Sequence, residues 1–171
     1  IGYTATTCSY TDLYGTDLIV FFGANPANDQ PVMTKYLHEA KKQGTKIALV
    51  NPYDEPAMKR YWVPSSVDSA LFGTDITDYW FPVSQGSDIA FLYGVLKILF
   101  ENDWLNHEFI ENHTVNLDQL RSQTDKVSWE DIVQQTGLTK NVIQEFAELI
   151  RDAKNAVLVW SMGITQHPWG A

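Results

Sequence analysis

Four short polar segments of this chain carry residue types that could bind a nucleotide or another polar ligand. The first is Gly23-Ala24-Asn25-Pro26, which follows an apolar run and precedes Asp29. Glycine lets a ligand approach the backbone closely, and asparagine can both donate and accept hydrogen bonds. The same residue types form ordinary turns, so spacing alone supports a binding loop and a plain turn equally. The segment matches neither the G-x-G-x-x-G fingerprint nor a Walker A loop.

The other three segments are Asn51-Pro52-Tyr53-Asp54-Glu55, Gln85-Gly86-Ser87-Asp88 and Ser161-Met162-Gly163-Ile164-Thr165-Gln166-His167. The segment that begins at Asn51 follows an apolar run, at the place where dinucleotide-binding folds hold the side chain that reads the ribose. An Asn-Pro pair also simply ends strands. Helix capping explains Ser87 and Asp88, although a Gly-Ser turn at a helix start can also hold a polar ligand group. The last segment is polar, contains glycine and follows the final apolar run.

Apolar runs and amphipathic stretches predict elements that place these segments at strand ends. Residues 17–22 and 45–50 are continuous apolar runs, typical of strands buried on both faces of a parallel sheet. A helix predicted over residues 29–43 joins them into a βαβ unit. We expect further strands over residues 79–83 and 156–160, helices over 87–104 and from Ser128 and Thr139, and short helical pieces over 106–124. Residues 53–78 are the least regular.

This pattern predicts an α/β fold, a three-layer Rossmann-like domain over residues 1–171 with a mostly parallel sheet and helices on both faces. Residues 53–78 are expected to form an irregular insertion in it. The helix over residues 87–104 is expected to bury a face that includes Ile89 and Leu92.

Composition excludes several classes of function. The 171 residues include 12 Lys+Arg against 21 Asp+Glu, a formal net charge of −9, so a basic nucleic-acid surface is not expected. No apolar run approaches the roughly 20 residues of a membrane helix, and we expect no membrane insertion. One cysteine excludes an intramolecular disulfide, and no secretory signal is visible, so we expect a cytoplasmic protein. Neither end resembles a natural terminus, and we expect a piece of a longer protein.

Other chemistry has little support. His107 and His113 are six residues apart, which does not place both on one face of a helix to bind a metal ion. His38 is expected on the polar face of its helix. Cys8 has no base nearby in the sequence to activate it, and we expect a buried or partly buried thiol. We therefore predict neither a catalytic nor a metal-ligating residue.

Taken in order, the four segments resemble the molybdopterin oxidoreductases, the family of formate dehydrogenase alpha subunits, periplasmic nitrate reductases and DMSO reductase. The resemblance runs from Thr11 to Gly170, also includes residues 106–110, and is strongest to formate dehydrogenase-like proteins. It implies that the chain binds one guanine dinucleotide of a bis(molybdopterin guanine dinucleotide) molybdenum cofactor and is inactive alone. It also implies partners, namely the remaining domains of a parent enzyme and a redox partner protein. An iron–sulfur cluster of the parent would lie outside this chain.

The resemblance further implies which residues contact the cofactor. The turn of residues 23–29 would contact the pyrophosphate and nucleoside, residues 51–55 the guanosine, and Met162 and Gln166 the pterin, while residues 86–88 would complete the nucleotide pocket. The expected set is Gly23, Ala24, Asn25, Pro26, Asp29, Asn51, Pro52, Tyr53, Asp54, Gly86, Ser87, Asp88, Met162, Gly163 and Gln166.

This chain departs from the family pattern at three places, one of which is that the segment between Tyr53 and Asp78 is longer than the common pattern. The family often has Asp-Pro-Arg where this chain has Asn51-Pro52-Tyr53, so one carboxylate and one guanidinium are missing from the expected guanosine contacts. Cys8 lies only 15 residues before Gly23, too close to match the molybdenum-ligating residue of the family.

Two alternatives from other classes stay open at this stage. One is a Rossmann-like nucleotide or coenzyme domain, such as the central domain of a thiamine-diphosphate enzyme, which would not need the run from Met162 to Gln166. The other is a non-catalytic interaction module, motivated by the aromatic residues of the irregular segment, among them Trp62 and Phe72.

Overall fold

The computed structural model describes residues 6–63, 65–167 and 170. They form an α/β fold with a parallel sheet flanked by helices, which confirms the predicted fold class. The chain divides into two compact units. The first comprises the described residues up to Pro82 and from Ala153 onward, and the second is Val83–Asp152. A single nucleotide-binding domain over residues 1–171 stays a prediction.

The secondary-structure elements are numbered in chain order. The strands are β1 Leu18–Phe22, β2 Lys46–Val50, β3 Arg60–Tyr61, β4 Thr74–Asp75, β5 Tyr79–Phe81 and β6 Ala156–Trp160. The helices are α1 Pro26–Asp29, α2 Pro31–Lys42, α3 Pro56–Lys59, α4 Val67–Phe72, α5 Asp88–Glu101, α6 His107–His113, α7 Leu117–Lys126, α8 Trp129–Thr136, α9 Lys140–Asp152 and α10 Met162–Thr165. A short 3-10 helix, Tyr10–Leu13, precedes β1.

The main sheet of the first unit is parallel, with the strand order β5-β2-β1-β6. Its register brings the last residues of all four strands onto one row. Phe22 pairs with Val50 on one side and with Trp160 on the other, and Val50 pairs with Phe81. The segments that follow β1, β2 and β6 therefore start side by side.

One face of this sheet carries the main hydrophobic cluster of the first unit. Ile19, Phe21, Ile47 and Leu49 are fully buried there, together with Leu37 of α2. Each such side chain contributes about 1.5–3 kcal/mol relative to leaving it in water. Because β1 is buried along its whole length, the continuous apolar run predicted it correctly.

Asp17 fixes the start of β6 against β1 although the two are far apart in the sequence. Its Oδ2 atom accepts hydrogen bonds from the backbone N–H groups of Lys154 and Asn155, both at 3.0 Å. Hydrogen bonds to a charged carboxylate are roughly twice as strong as neutral ones. This contact sets where β6 enters the sheet and hence where it ends.

Three sequence expectations need correction. Residues 53–78 are more regular than expected, because they form α3, α4 and an antiparallel β3–β4 pair that joins Tyr61 to Thr74. In α5, Ile89 and Leu92 are exposed, whereas Phe91 and Ile98 are buried. The helix is apolar on most sides, so periodicity did not determine which side is buried. The polar segment after β6 contains the single turn α10.

The second unit has its own packing around α5. The rings of Phe91 and Phe146 meet edge to face with centroids 4.9 Å apart. Gly94 lies so close to Ile132 and Ile143 that an added Cβ atom would be 3.1 Å from both side chains. A small residue at position 94 therefore lets α8 and α9 approach α5.

No helix among the described residues combines the length and the apolar character needed to cross a bilayer.

Candidate functional site

The edge of the sheet at which the strands end brings three of the four polar segments together. Backbone hydrogen bonds continue the ladder past this edge: Gly23 N–H donates to the carbonyl of Val50 at 3.0 Å, and Asn51 N–H donates to the carbonyl of Phe81 at 3.2 Å. Ligands of parallel α/β sheets bind at this edge. Three of the loops that sequence spacing singled out therefore start side by side at the position where ligands of this fold class bind.

Gly23 and Gly163 bring the loop after β1 and the loop after β6 into backbone contact. A Cβ atom added to Gly163 would lie 2.6 Å from the carbonyl oxygen of Gly23 and 2.8 Å from its Cα atom. Gly23 has a φ of +54°, which L side chains rarely adopt. Only glycine satisfies both positions, so the contact explains two expected site residues without reference to a ligand.

In the loop after β1, Asn25 shapes the backbone. Its Oδ1 accepts from the N–H of Asn28 at 3.3 Å, and its carbonyl accepts from the N–H of Asp29 at 3.0 Å. Pro26 is buried at the first position of α1, where proline is favoured, and Ala24 packs against the hydrophobic cluster. Asn25 therefore forms the turn that the sequence allowed, while the Asp29 side chain is exposed to solvent.

The loop after β2 is held by its own Asn51 and by side chains from β5 and α3. Asn51 Nδ2 donates to the carbonyl of Tyr53 at 2.9 Å, and the indole N–H of Trp80 donates to the Asn51 carbonyl at 2.9 Å. Asp54 pairs with Lys59, with Nζ and Oδ2 2.9 Å apart. Sequence reasoning missed Lys59 as a cation of this loop. Pro56, which favours a helix start, was the available signal that the chain turns back there.

In the loop after β6, Met162 and Gln166 lie on one side of α10. Gln166 Nε2 is 3.5 Å from Met162 Sδ, as expected for residues four apart on a helix. Both side chains are exposed to solvent. They are free to contact a ligand at the same edge as Gly163.

The fourth segment, Gly86 to Asp88, lies in the second unit and is described by its own contacts. Gly86 has a φ of +80°. Ser87 is at the capping position of α5 as predicted, but its hydroxyl donates to the carbonyl of Ser84 at 2.7 Å and does not cap the helix. Both Ser87 and Asp88 are buried.

His38 is buried, so its expected place on the polar face of α2 is wrong. Its Nε2 lies 2.9 Å from the hydroxyl of Ser66, and its Nδ1 lies 2.9 Å from that of Thr74. Burial lowers the pKa of His38, and nearby Lys42 lowers it further. Helical periodicity could not reveal these partners, because they come from the irregular segment.

The other candidates for polar chemistry are exposed. Cys8 is exposed, which corrects the expectation of a buried thiol. His107 pairs with Asp103 at 3.0 Å, and His113 lies against the Phe109 ring. Within the described part of the chain, no group of three or more His, Cys, Asp and Glu side chains could hold a metal ion.

Comparison with known proteins identifies the family. The model of the molybdopterin oxidoreductase family matches residues 2–171, and the chain belongs to that family. Protein YdeP of Escherichia coli strain K12 is 31% identical over 182 residues, which cover 99% of this chain and 24% of that protein. Formate dehydrogenase H of the same strain is 25% identical over 170 residues, which cover 99% of this chain and 22% of that protein.

A solved structure shows the same fold. Acetylene hydratase from Pelobacter acetylenicus superimposes with a TM-score of 0.70 at 19% identity, over 91% of this chain and 20% of that chain. The chain thus spans about a quarter of the length of the curated relatives it matches. The recognised resemblance is confirmed: this is a molybdopterin oxidoreductase domain similar to part of formate dehydrogenase, in a family whose name implies a molybdenum–pterin cofactor.

Proposed function

We propose that this chain holds one guanine dinucleotide of a bis(molybdopterin guanine dinucleotide) molybdenum cofactor within a molybdenum-dependent, formate dehydrogenase-like oxidoreductase. The observation that carries the proposal is the common row at which β1, β2 and β6 end, because it places the loops that follow them side by side where ligands of parallel α/β sheets bind. The contact between Gly23 and Gly163 holds two of these loops together.

The chemistry of these loops fits a nucleotide. Amide and carboxylate side chains such as Gln166, Asp29 and Asp54 supply donors and acceptors for a base and sugar hydroxyls. Lys59 places a cation at the same edge through its contact with Asp54. Backbone N–H groups of loops can hold a pyrophosphate with few cations, which suits a chain of net charge −9.

Each loop is assigned to a different part of the cofactor. Residues 23–29 would hold the pyrophosphate and nucleoside, Asn51–Asp54 the guanosine, and Met162 with Gln166 the pterin. Gly86–Asp88, in the second unit, stay a predicted part of the cofactor-binding set. The cofactor, when bound, supplies two-electron redox chemistry, and the protein binds and orients it.

The whole protein's activity requires parts outside this chain. We propose that other domains supply the metal pocket, that the isolated chain is catalytically inactive, and that a redox partner protein exchanges electrons with the parent. An iron–sulfur cluster outside this chain and a cytoplasmic location belong to the same proposal. The fold alone does not set the reaction, since the superimposable acetylene hydratase is named for a hydration.

The alternative of a thiamine-diphosphate-type coenzyme domain has lost its support. The family match covers nearly the whole chain, including the run from Met162 to Gln166 that this alternative does not need. The nucleotide released from the parent distinguishes the two, because the alternative expects an adenine nucleotide and our proposal a guanine nucleotide.

Site variants of the parent test the proposal. Asp54→Ala and Gln166→Ala should each lower the guanine nucleotide retained per polypeptide several-fold, measured after acid release from the purified protein. Asp125→Ala, at an exposed carboxylate of the second unit, is the control and should retain the wild-type amount. Retention at the wild-type level in both site variants would contradict the assigned contacts.

A further inference from the structure

Helix α4 is oriented with its polar side chain inward and its apolar side chains outward. Ser69 is 1% exposed, whereas Val67, Leu71 and Phe72 are 76%, 71% and 73% exposed. A surface helix normally does the reverse. Scattered exposed apolar residues need no explanation, but three on one six-residue helix do.

The inward side of α4 is anchored by a polar network. The Ser69 hydroxyl accepts from the N–H of Val63 at 2.9 Å and lies 2.6 Å from the hydroxyl of Thr74. Thr74 and Ser66 both contact the buried ring of His38 on α2, at 2.9 Å each. Since buried polar groups are costly to leave unpaired, this network determines which side of α4 faces inward. The helix cannot simply rotate to bury Leu71.

The C-terminal end of α4 is anchored as well. The Arg60 guanidinium donates to the carbonyl of Phe72, and Gly73 turns the chain with a φ of +74°. Directly after β3, Trp62 is 60% exposed. The apolar side chains of α4 are therefore held facing outward. Together with Trp62 we name them the α4 surface: Trp62, Val67, Leu71 and Phe72.

Charges around the α4 surface are paired with one another. Asp68 lies 3.5 Å from Lys42, and Asp75 lies 3.9 Å from Arg60. The surface thus carries no excess of one sign with which to attract a polyanion or an anionic membrane. Apolar area with few unpaired charges is typical of permanent interfaces rather than of transient ones.

We propose that the α4 surface docks against another domain of the parent polypeptide. The matched relatives are about four times as long as this chain, so most of such a protein is available to cover it. A domain of the same polypeptide is always present next to this surface and does not have to bind it from solution. A permanent contact of this kind fits a surface that is apolar and has balanced charges. The proposal concerns assembly and is independent of which nucleotide the strand-end loops bind.

Hydroxyl-radical footprinting of the purified full-length parent tests this contact without a variant that could misfold. Phe72 and Phe109 form a matched pair, since Phe109 is 54% exposed in the second unit. If the exposures in this structure also held in the parent, Phe72 would be modified faster than Phe109. Docking predicts the opposite, with Phe72 modified several-fold more slowly than Phe109 at every protein concentration.

Either of two footprinting results on the unaltered parent would overturn the proposal. One is modification of Phe72 at least as fast as that of Phe109. The other is protection of Phe72 that disappears on dilution, which would assign the surface to a second copy or a separate partner. As a second measurement, Phe72→Asp in the parent should increase the modification of Trp62, whereas Phe109→Asp should not; an unchanged Trp62 would also contradict docking.

Discussion

The carbonyl oxygen of Gly23 lies 2.6 Å from the position that a Cβ atom would take on Gly163, so two loops 140 residues apart in the chain meet backbone to backbone. Gly23 directly follows Phe22, and Gly163 follows Trp160 after Ser161 and Met162, so both glycines lie just past the row in which Phe22 pairs with Trp160. The close approach is a property of the sheet edge and sets the spacing of the proposed cofactor loops.

Replacing Gly163 with alanine should disturb this edge. Overpacking that moves backbone costs about 1–3 kcal/mol, and we expect a loss of free energy of unfolding in that range together with lower cofactor retention in the parent. Urea unfolding and nucleotide content measure the two effects. The control is Gly44→Ala before β2, where an added Cβ meets nothing within 4 Å but φ is +97°. It should lose stability through backbone strain and keep its cofactor; loss of cofactor in both variants would contradict a specific role for the Gly163 contact.

Stability should depend on pH through His38. Its pKa is lowered from the ordinary value of 6.5, first by burial and then by Lys42, while Glu39 and Asp68 oppose the shift. Below pH 6.5 the unfolded chain takes up a proton that the folded ring resists, so the free energy of unfolding falls as the pH falls from about 7 toward 5. His38→Gln should weaken this dependence in urea unfolding measured across that range. Identical slopes for wild type and His38→Gln would show that His38 is not the group responsible.

Ser69→Ala should destabilise the first unit by about 1–3 kcal/mol, because it leaves the N–H of Val63 and the Thr74 hydroxyl without the Ser69 hydroxyl. The exposed Ser65 is a matched position, and Ser65→Ala should change the free energy of unfolding by less than about 0.5 kcal/mol. Chemical denaturation of both variants measures these changes in the free energy of unfolding. Equal stability of the two would mean that the polar network does not hold α4.

Asp17→Ala should weaken the attachment of β6. Loss of the carboxylate removes two charge-assisted hydrogen bonds, to Lys154 and Asn155, and we expect a cost of about 1–3 kcal/mol. Asp75→Ala removes only an exposed ion pair with Arg60 and should cost less than about 1 kcal/mol. Hydrogen exchange of the β6 amides should rise in the Asp17 variant alone; a rise of the same size in both would contradict the assignment.

The local sequence pattern was sufficient to predict the strands of the sheet. It was not sufficient to predict the contacts of His38 and Gly163. The apolar runs of β1 and β2 are buried along nearly their whole length, so composition predicted them. The burial of His38 depends on Ser66 and Thr74, which reach it from a segment without clear periodicity. The Gly163 contact arises from strand register, which no local pattern encodes.

The side of each helix that is buried was predictable only where polar residues mark the other side. In α9, Ile143 and Phe146 are buried as expected from their spacing. In α5, apolar residues occur all round, and the buried side was wrongly assigned. In α4 the exposed side is the apolar one, which no rule based on a single soluble chain would predict.

The nucleotide and metal content of the purified parent decides whether it carries a bis(molybdopterin guanine dinucleotide) molybdenum cofactor. Molybdenum is quantified by mass spectrometry, and nucleotides are identified after acid hydrolysis of the same sample. We predict molybdenum together with guanine nucleotide in a ratio of about two per metal, as this cofactor requires. A parent that is folded and full length but contains neither, or that releases an adenine nucleotide instead, would contradict this prediction.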